Sequence, residues 1–423
     1  MPSLPIIIAL AALLPWRVHP ALLFSPPTLV AFSSATAPPL SPTVPDKFYP
    51  LAPSGAGSPP LLFGVQDAAS FSVSADAGVT WVTAATPHDF TPQGDLFVPL
   101  FDGAAGPAVA APSAYHSVGS SVAISAGGWE QRGITTVHAA AAGGGAALAQ
   151  AFDAAATSTF GGVPAPGLNA TCSPSTSPPC DLPRLFGAIR LSDGSYLLAA
   201  TAAFAGTPAH PTPDGTRAPV SLLAFASPDS FTWRFAGVIA NASLFPWTDF
   251  GPTESDLAYA ADGVTLVAVI RMSGDADCEA GNYRNYFSAF SSDEGRTWSL
   301  PAEMPGVGCV RPKLLQFGVG GPLLISGGRN CVADRKDISL WESAAGGGWV
   351  EHSLSFQHNR LWQGNASFLF DARVNATVGF ETQSYTSLVR TGAGSFAVFY
   401  NKFFSPNWPP WPSANFMMQV SVV

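Results

Sequence analysis

The 423-residue sequence has few charged side chains and no long apolar segment. Asp, Glu, Lys and Arg make up 11% of the chain, the net charge is −9, and Lys and Arg form no run. A basic stripe is the electrostatic footprint of nucleic-acid binding, so we expect no nucleic-acid partner. The apolar run at residues 4–14 is shorter than the ~20 residues that span a bilayer, so we expect no stable membrane span.

The sequence also has little that suggests a metal site or long helices. The five cysteines include no C-x-x-C pair, and the seven histidines are scattered, so we expect neither a structural metal nor a cofactor. Cys172 and Cys180 could close a Ser/Pro-rich loop, which leaves three further cysteines and one odd thiol. The Ala-rich stretch 139–152, interrupted by glycines, is expected to be a loop or a short helix.

The N-terminus has the features of a secretory protein. We interpret residues 1–37 as a signal peptide ending in the A-x-A pattern at 35–37, and residues 38–58 as a Pro/Ser/Ala-rich linker. Residues 59–423 then form the folded domain. We expect a monomer that is secreted or retained in the lumen of the secretory pathway. Four N-x-S/T sequons support this expectation: Asn169, Asn241, Asn365 and Asn375.

Short apolar runs separated by turn residues predict an all-β fold. The 41 glycines and 40 prolines are spread between these runs, which is typical of frequent turns. The clearest predicted strands are residues 195–204, 264–272, 322–327 and 395–403.

One turn sequence recurs along the chain. Residues 74–81 and 291–298 both match S-x-D-x-G-x-T-W, and residues 227–233 and 343–349 are degenerate copies. In such a turn the Asp carboxylate accepts backbone N–H groups, and the Gly adopts a positive φ. The Trp then anchors the turn in the apolar layer below. We therefore expect Asp76 and Asp293 to build turns rather than to carry chemistry.

The spacing of the turns predicts a β-propeller. Trp233 and Trp298 are 65 residues apart, and Trp298 and Trp349 are 51 residues apart. A four-stranded blade takes ~40–50 residues plus insertions. Residues 59–423 are therefore expected to form about six blades, within the four to eight that propellers have.

The order of motifs in the second half resembles the sialidase (neuraminidase) superfamily, the six-bladed propellers with Asp boxes or BNR repeats. Glu254 in PTESDLAYAADG and Arg271 in LVAVIRM precede the turn at 291–298. Arg311 in VRP, Arg329 at the end of LLISGGR, and Tyr385 in QSYTSL follow it. The resemblance covers residues 185–400, and before them only the turn at 74–81 resembles the family.

The resemblance implies an exo-α-sialidase-like glycoside hydrolase that acts on terminal sialic acid in glycoconjugates. In the family a tyrosine is the nucleophile and a glutamate its base, which correspond here to Tyr385 and Glu254. A phenol with a pKa near 10 needs such a base. Arginine forks bind the substrate carboxylate through paired hydrogen bonds. The matching positions are Arg271, Arg311, Arg329 and Arg335.

Two family features have no clear counterpart, which leaves other functions open. In place of an F-R-I-P motif the chain has Lys47-Phe48-Tyr49-Pro50, and the acid/base aspartate could be Asp67 or Asp89. One alternative is a non-catalytic propeller that binds glycans or a protein. Another is a hydrolase or lyase for a different acidic sugar.

Overall fold

A computed structural model describes the strands of an all-β fold. The described residues are 21–33, 48–51, 61–67, 70–85, 96–100, 114–118, 122–142, 145–168, 184–207, 210–212, 215–248, 250–273, 285–308, 310–328, 338–344, 347–370, 382, 385–403 and 413–423.

The first half of the chain forms one four-stranded sheet and one nine-stranded sheet. Before them come β1 (Leu22–Phe24) and β2 (Thr28–Ser33), which belong to the last sheet. The four-stranded sheet contains β3 (Phe48–Leu51), β4 (Leu61–Asp67), β5 (Ser70–Ser74) and β6 (Val82–Ala85). The nine-stranded sheet contains β7 (Leu96–Leu100), β8 (Ala114–Val118), β9 (Val122–Ser125), β10 (Gly128–Ala142), β11 (Gly145–Gly161), β12 (Arg184–Arg190), β13 (Tyr196–Ala202), β16 (Ser221–Ser227) and β17 (Thr232–Ala240). A small hairpin, β14 (His210–Thr212) and β15 (Gly215–Arg217), lies between β13 and β16 in sequence.

The second half forms three further sheets. One contains β18 (Gly251–Tyr259), β19 (Leu266–Ser273), β20 (Phe287–Ser291) and β21 (Ala302–Glu303). The next contains β22 (Val310–Gln316), β23 (Leu323–Gly328), β24 (Ile338–Ser343) and β25 (Trp349–Ser353). The last contains β26 (Ser387–Gly392), β27 (Ser395–Phe403) and β28 (Ser413–Val422), with β1 and β2 paired to β28.

The nine-stranded sheet has two antiparallel halves. The pairing of β11 with β17 over Thr159–Gly161 and Thr232–Arg234 is its parallel contact. If the sheet is divided there, the described strands form six blades. Blade 1 is β3–β6, blade 2 is β7–β11, and blade 3 is β12, β13, β16 and β17. Blades 4 and 5 are β18–β21 and β22–β25, and blade 6 is β26–β28 with β1 and β2. The predicted blade number depends on this division.

The hydrophobic core lies between blades. In the described residues, a cluster of buried apolar side chains fills each junction between neighbouring blades, from 1–2 through 5–6. A further cluster, which includes Phe48, Phe399 and Met417, joins blade 6 back to blade 1. The rings of Phe48 and Phe399 are stacked there with centroids 4.0 Å apart. The blades therefore form a closed ring, in which each blade buries both faces.

Two turns with the S-x-D-x-G-x-T-W sequence have the same hydrogen bonds. In the turn at 291–298, Asp293 accepts bonds from the Thr297 backbone N–H (2.9 Å), the Thr297 hydroxyl (2.7 Å) and the Ser291 hydroxyl (2.8 Å). Gly295 has a φ of +87°, and the Trp298 indole donates to its carbonyl at 2.9 Å. The turn at 74–81 repeats this set around Asp76. The carboxylate of each turn is thus occupied by its own loop.

The structure corrects one prediction of local structure and shows one short helix. In the Ala-rich stretch, residues 139–142 and 145–152 are not helical but belong to the paired strands β10 and β11, because strand pairing outweighs the helix propensity of alanine. An eight-residue helix, α1 (Leu354–Leu361), is capped by Ser353, whose hydroxyl accepts the Phe356 N–H. Within the described residues no helix has the length and apolarity to cross a bilayer.

Described strands lie within the segments predicted to be the signal peptide and the linker. β1 and β2 lie within the predicted signal peptide 1–37, and β3 lies within the predicted linker 38–58. Leu22 pairs with Val422 and Thr28 with Met417, so this segment completes the last sheet. Cleavage after Ala37 would remove both strands from blade 6. The apolar run 4–14 lies outside the described residues.

Candidate active site

Three neighbouring inner strands carry a β-bulge at the same level. The strands β12, β18 and β22 lie side by side as the innermost strands of blades 3, 4 and 5. Their registers shift between Leu185 and Ala188, between Pro252 and Ser255, and between Val310 and Lys313. Each shift places two residues opposite one on the next strand. A bulge bends its strand and redirects side chains, and bulges are frequent next to active sites.

Two of the candidate site residues, Glu254 and Arg311, lie in these bulges. The bulged residues are Phe186 and Gly187 in β12, Thr253 and Glu254 in β18, and Arg311 and Pro312 in β22. The residue opposite the β18 bulge is Arg271. Glycine and proline inside a strand are sequence signals of a bulge, because glycine tolerates unusual backbone angles and proline cannot donate to the ladder.

Glu254 is the centre of a hydrogen-bonded cluster. Its Oε1 accepts the hydroxyl of Tyr385 at 2.5 Å, and its Oε2 accepts Nη1 of Arg271 at 2.6 Å and the backbone N–H of Arg311 at 3.1 Å. The side chains of Arg271 and Glu254 are only 11% and 13% exposed. Tyr385 lies two residues before β26, so blades 4, 5 and 6 each contribute to the cluster.

The guanidinium of Arg311 covers the phenol. Its Cζ lies 5.4 Å from the centroid of the Tyr385 ring and 5.9 Å from that of Phe186. Arg311 is only 8% exposed and has a φ of +22°, which is unusual for a residue with a side chain. Such strain is tolerated only where the surroundings impose it, and it is common at functional sites.

The electrostatics of the cluster favour an ionised Glu254. Burial alone would raise the pKa of this carboxyl, but the positive charges of Arg271 and Arg311, with the hydrogen bond from Tyr385, lower it to about 2. The guanidinium of Arg271 pairs with Glu254, and the charge of Arg311 acts on both Glu254 and Asp256.

Asp256 joins the same three strands just beyond the bulges. Its Oδ2 accepts the backbone N–H of Leu314 at 2.8 Å, which links blade 4 to blade 5. Its Oδ1 lies against Gly187, where an added Cβ would overlap it. Burial raises the pKa of Asp256, although Lys313 and the Leu314 N–H act in the opposite direction. This carboxyl fixes the spacing of blades 3, 4 and 5 beneath the site.

The structure brings together four of the six predicted site residues: Glu254, Arg271, Arg311 and Tyr385. Arg329 and Arg335 lie outside the described residues, as do Lys47 and Asp89. Asp67 ends β4, and its side chain is not described.

Sequence reasoning missed Phe186 and Asp256. Phe186 precedes Gly187, which is a weak signal of a bulge. Asp256 follows Glu254 by two residues, and alternation along a strand places such residues on one face, so this signal could have been used.

The cluster combines a phenol on a carboxylate with two guanidinium groups. A carboxylate that shares the phenolic proton can activate the oxygen as a nucleophile. Guanidinium groups bind planar carboxylates. Among the described residues, no group of three or more His, Cys, Asp or Glu side chains could hold a metal ion.

No protein-family model matches the chain, and no curated protein matches it in sequence. Solved structures of similar fold include a Dyadobacter fermentans protein of unknown function, with a TM-score of 0.49, 14% identity, and coverage of 95% of this chain and 99% of that one. Another is a Trypanosoma rangeli sialidase in complex with 2,3-difluorosialic acid, with a TM-score of 0.47, 13% identity, and coverage of 93% and 59%. A third is the NanB sialidase of Streptococcus pneumoniae, with a TM-score of 0.47, 10% identity, and coverage of 94% and 70%. The chain thus spans 59% of the length of the Trypanosoma sialidase.

Proposed function

We propose that the protein is a retaining glycosidase that removes a terminal acidic sugar, with sialic acid as the preferred substrate. The observation that carries the proposal is the bond from the Tyr385 hydroxyl to Glu254 Oε1, at 2.5 Å, beside Arg271 and Arg311. A sialoside has a carboxylate on its anomeric carbon. A neutral phenol approaches such a centre without the repulsion that a carboxylate nucleophile would meet.

The reaction would proceed in two steps. The Tyr385 oxygen attacks the anomeric carbon as the bond to the aglycone oxygen breaks, and the phenolic proton passes to Glu254. The aglycone oxygen takes a proton from an acid, for which Asp67 and Asp89 remain candidates. Water then attacks the anomeric carbon and gives a proton back to the acid residue, while the bond to the Tyr385 oxygen breaks and Glu254 returns its proton to that oxygen. The configuration at the anomeric carbon is retained because it is inverted twice.

Substrate binding would itself strengthen the base. In the free site, Arg271 and Arg311 lower the pKa of Glu254 to about 2, which makes the carboxylate a weak proton acceptor. A substrate carboxylate competes for the same guanidinium groups. As they turn towards the substrate, the pKa of Glu254 rises and proton transfer from Tyr385 becomes easier.

The proposal is tested with a fluorogenic α-sialoside and the purified protein. We expect hydrolysis by the wild type and its loss in Tyr385→Phe, which removes only the nucleophilic oxygen. Tyr400→Phe is the matched control, because Tyr400 is fully buried in blade 6 and its hydroxyl bonds to His358. A wild type without activity, or an unimpaired Tyr385→Phe, would contradict the proposal.

A second candidate is a glycan-binding propeller without turnover. Two observations favour it. Arg271 is already paired with Glu254. The chain also has a lysine, Lys47, at the position that matches the arginine of the F-R-I-P motif in sialidases. A glycan array would separate the two. Binding of sialylated glycans that survives Tyr385→Phe, with intact glycans recovered afterwards, favours the binding module.

We also propose that the protein enters the secretory pathway. Asn241 and Asn365 are exposed sequon asparagines, and each accepts the backbone N–H of its sequon serine at 2.9 Å. Expression of the full chain in eukaryotic cells, followed by mass spectrometry of the two peptides, checks this. Unmodified Asn241 and Asn365 together with an intracellular product would contradict it.

A further inference from the structure

The backbone around Arg311 is held in an unusual conformation. Arg311 has a φ of +22° and lies in the bulge of β22, directly before Pro312. Its N–H is bound by Glu254 Oε2 at 3.1 Å. A residue before proline normally prefers extended angles. A second contact, besides the hydrogen bond that the Arg311 N–H donates to Glu254, is therefore needed to stabilise this bulge.

Tyr286 makes a second hydrogen bond to the backbone of the bulged segment. Its side chain is fully buried, and its hydroxyl donates to the carbonyl oxygen of Val310 at 2.5 Å, one residue before Arg311. Tyr286 directly precedes β20, and Ile270 pairs with Phe287, so Tyr286 is next to Arg271 in the register of blade 4. The tyrosine thus reaches from blade 4 to the bulge of blade 5.

Two glycines make room for this side chain. An added Cβ at Gly308 would overlap the Tyr286 ring, and one at Gly327 would overlap its hydroxyl and lie 2.5 Å from the Val310 carbonyl oxygen. Gly308 also has a φ of +59°. Both glycines leave space that the tyrosine ring or hydroxyl occupies.

The bulges of blades 4 and 5 differ at the residue opposite them. In blade 4 this residue is Arg271, whose guanidinium pairs with Glu254. In blade 5 it is Gly327, with no side chain to hold the bulge. The hydroxyl of Tyr286 lies at that position instead. A neighbouring blade therefore supplies the group that blade 5 lacks.

We propose that Tyr286 is a positioning residue, which holds the Val310–Arg311 bulge so that the Arg311 guanidinium lies over the Tyr385 ring. The role rests on the proposed glycosidase function. Tyr286 does not touch the reacting atoms. It acts through the Val310 carbonyl, the Arg311 backbone and the bond from Arg311 N–H to Glu254.

The first test is Tyr286→Phe, which removes one oxygen atom and keeps the ring. Loss of one buried hydrogen bond corresponds to about a ten-fold change, and we expect kcat/KM for the fluorogenic sialoside to fall by about that factor. Tyr400→Phe is the matched control, since it also loses one buried hydroxyl and its bond to His358. It should lose similar stability without losing activity.

A titration of the Glu254 carboxyl in Tyr286→Phe distinguishes a positioning role of Tyr286 from a purely structural one. It does not require enzymatic activity. With Arg311 displaced, the pKa of Glu254 should rise from about 2, by roughly one unit, because Arg311 is one of the charges that lower it. Carbon-13 NMR of labelled glutamate carboxyls, with the Glu254 signal assigned from Glu254→Gln, measures this directly. Tyr400→Phe should leave the titration unchanged.

Gly327→Ala is the second variant, because its methyl group would displace both Tyr286 and Val310. We expect the same two changes, and larger ones. If Tyr286→Phe loses stability as Tyr400→Phe does, but keeps kcat/KM within two-fold and the Glu254 titration unchanged, Tyr286 is only a core residue and the inference fails. If the wild type hydrolyses no sialoside while the titration still shifts, the proposed function fails and the positioning role stands.

Discussion

Asp293 and Glu254 are two carboxyl groups whose pKa lies at about 2, for different physical reasons. Asp293 is on the surface, and hydrogen bonds from Thr297 and Ser291 within its own turn lower its pKa. Glu254 is nearly buried, and the charges of Arg271 and Arg311 outweigh the cost of that burial. A low pKa by itself therefore does not identify a functional carboxylate.

The two groups differ in the length of chain that builds their surroundings. Everything that holds Asp293 lies within residues 291–298, and the same arrangement recurs at 74–81. The partners of Glu254 come from three blades, and Tyr385 is 131 residues away in sequence. A local turn survives changes elsewhere, whereas the site depends on the relative placement of blades.

The largest difference between the two carboxylates should appear in activity. Glu254→Gln removes the proposed base, and we expect kcat to fall by about 100- to 10,000-fold, the usual contribution of a positioned base. Asp293→Asn should leave kcat within two-fold of wild type. Steady-state kinetics with a fluorogenic α-sialoside measures both. If both variants lowered kcat equally, Glu254 would be no more important for catalysis than the carboxylate of a turn.

The next difference concerns the arginine beside each carboxylate. Arg271→Met leaves Glu254 without its closest cation in a nearly buried site, and such a loss costs about 3–5 kcal/mol of unfolding free energy. Arg296→Met is the matched control, because Arg296 is exposed in the turn beside Asp293, and we expect a change within about 0.5 kcal/mol. Chemical denaturation at neutral pH compares them. An equally stable Arg271→Met would show that the ion pair contributes little.

The pH dependence of stability tests the low pKa of Glu254 directly. Because the folded-state pKa of Glu254, about 2, lies below its ordinary value of 4.5, its ionisation stabilises the fold above about pH 4.5. This contribution is lost as the pH falls towards 2. The stability difference between wild type and Glu254→Gln should therefore shrink by up to about 3 kcal/mol between pH 5 and 2. Urea denaturation at several pH values measures it, and a constant difference would contradict the low pKa.

The smallest effect is expected in the turns. Asp293→Asn weakens three hydrogen bonds at the surface, and we expect a loss of about 1 kcal/mol in unfolding free energy. Asp76→Asn should behave alike, since its turn has the same bonds. Thermal unfolding compares the pair. A large loss in one turn only would show that the blades depend on these turns unequally.

Much of the fold could be predicted from short segments. The predicted strands at 195–204, 264–272, 322–327 and 395–403 correspond to β13, β19, β23 and β27. Apolar alternation and turn residues act over a few positions, so they can be read directly. The Ala-rich hairpin β10–β11 was missed because its strands are defined by their mutual pairing. The role of β1 and β2 was missed because their partner, β28, is at the other end of the chain.

The candidate site was partly visible in the sequence, through motif order. Glu254, Arg271, Arg311 and Tyr385 could be selected in this way, but their contacts could not. Tyr286 was not selected, since no motif marks it and its significance comes from Gly308 and Gly327 in neighbouring segments. The roles of Arg329 and Arg335 stay predictions.

The sequence alone determined the all-β character and the two S-x-D-x-G-x-T-W turns, because strand alternation and turn hydrogen bonds involve residues close in the chain. Only the tertiary structure decided that blade 6 is completed by β1 and β2, and that three aligned bulges bring Phe186, Glu254 and Arg311 together. These features depend on how neighbouring blades pack and pair. The energy that holds Arg311 over Tyr385 therefore comes from contacts between residues distant in sequence, which no local pattern records.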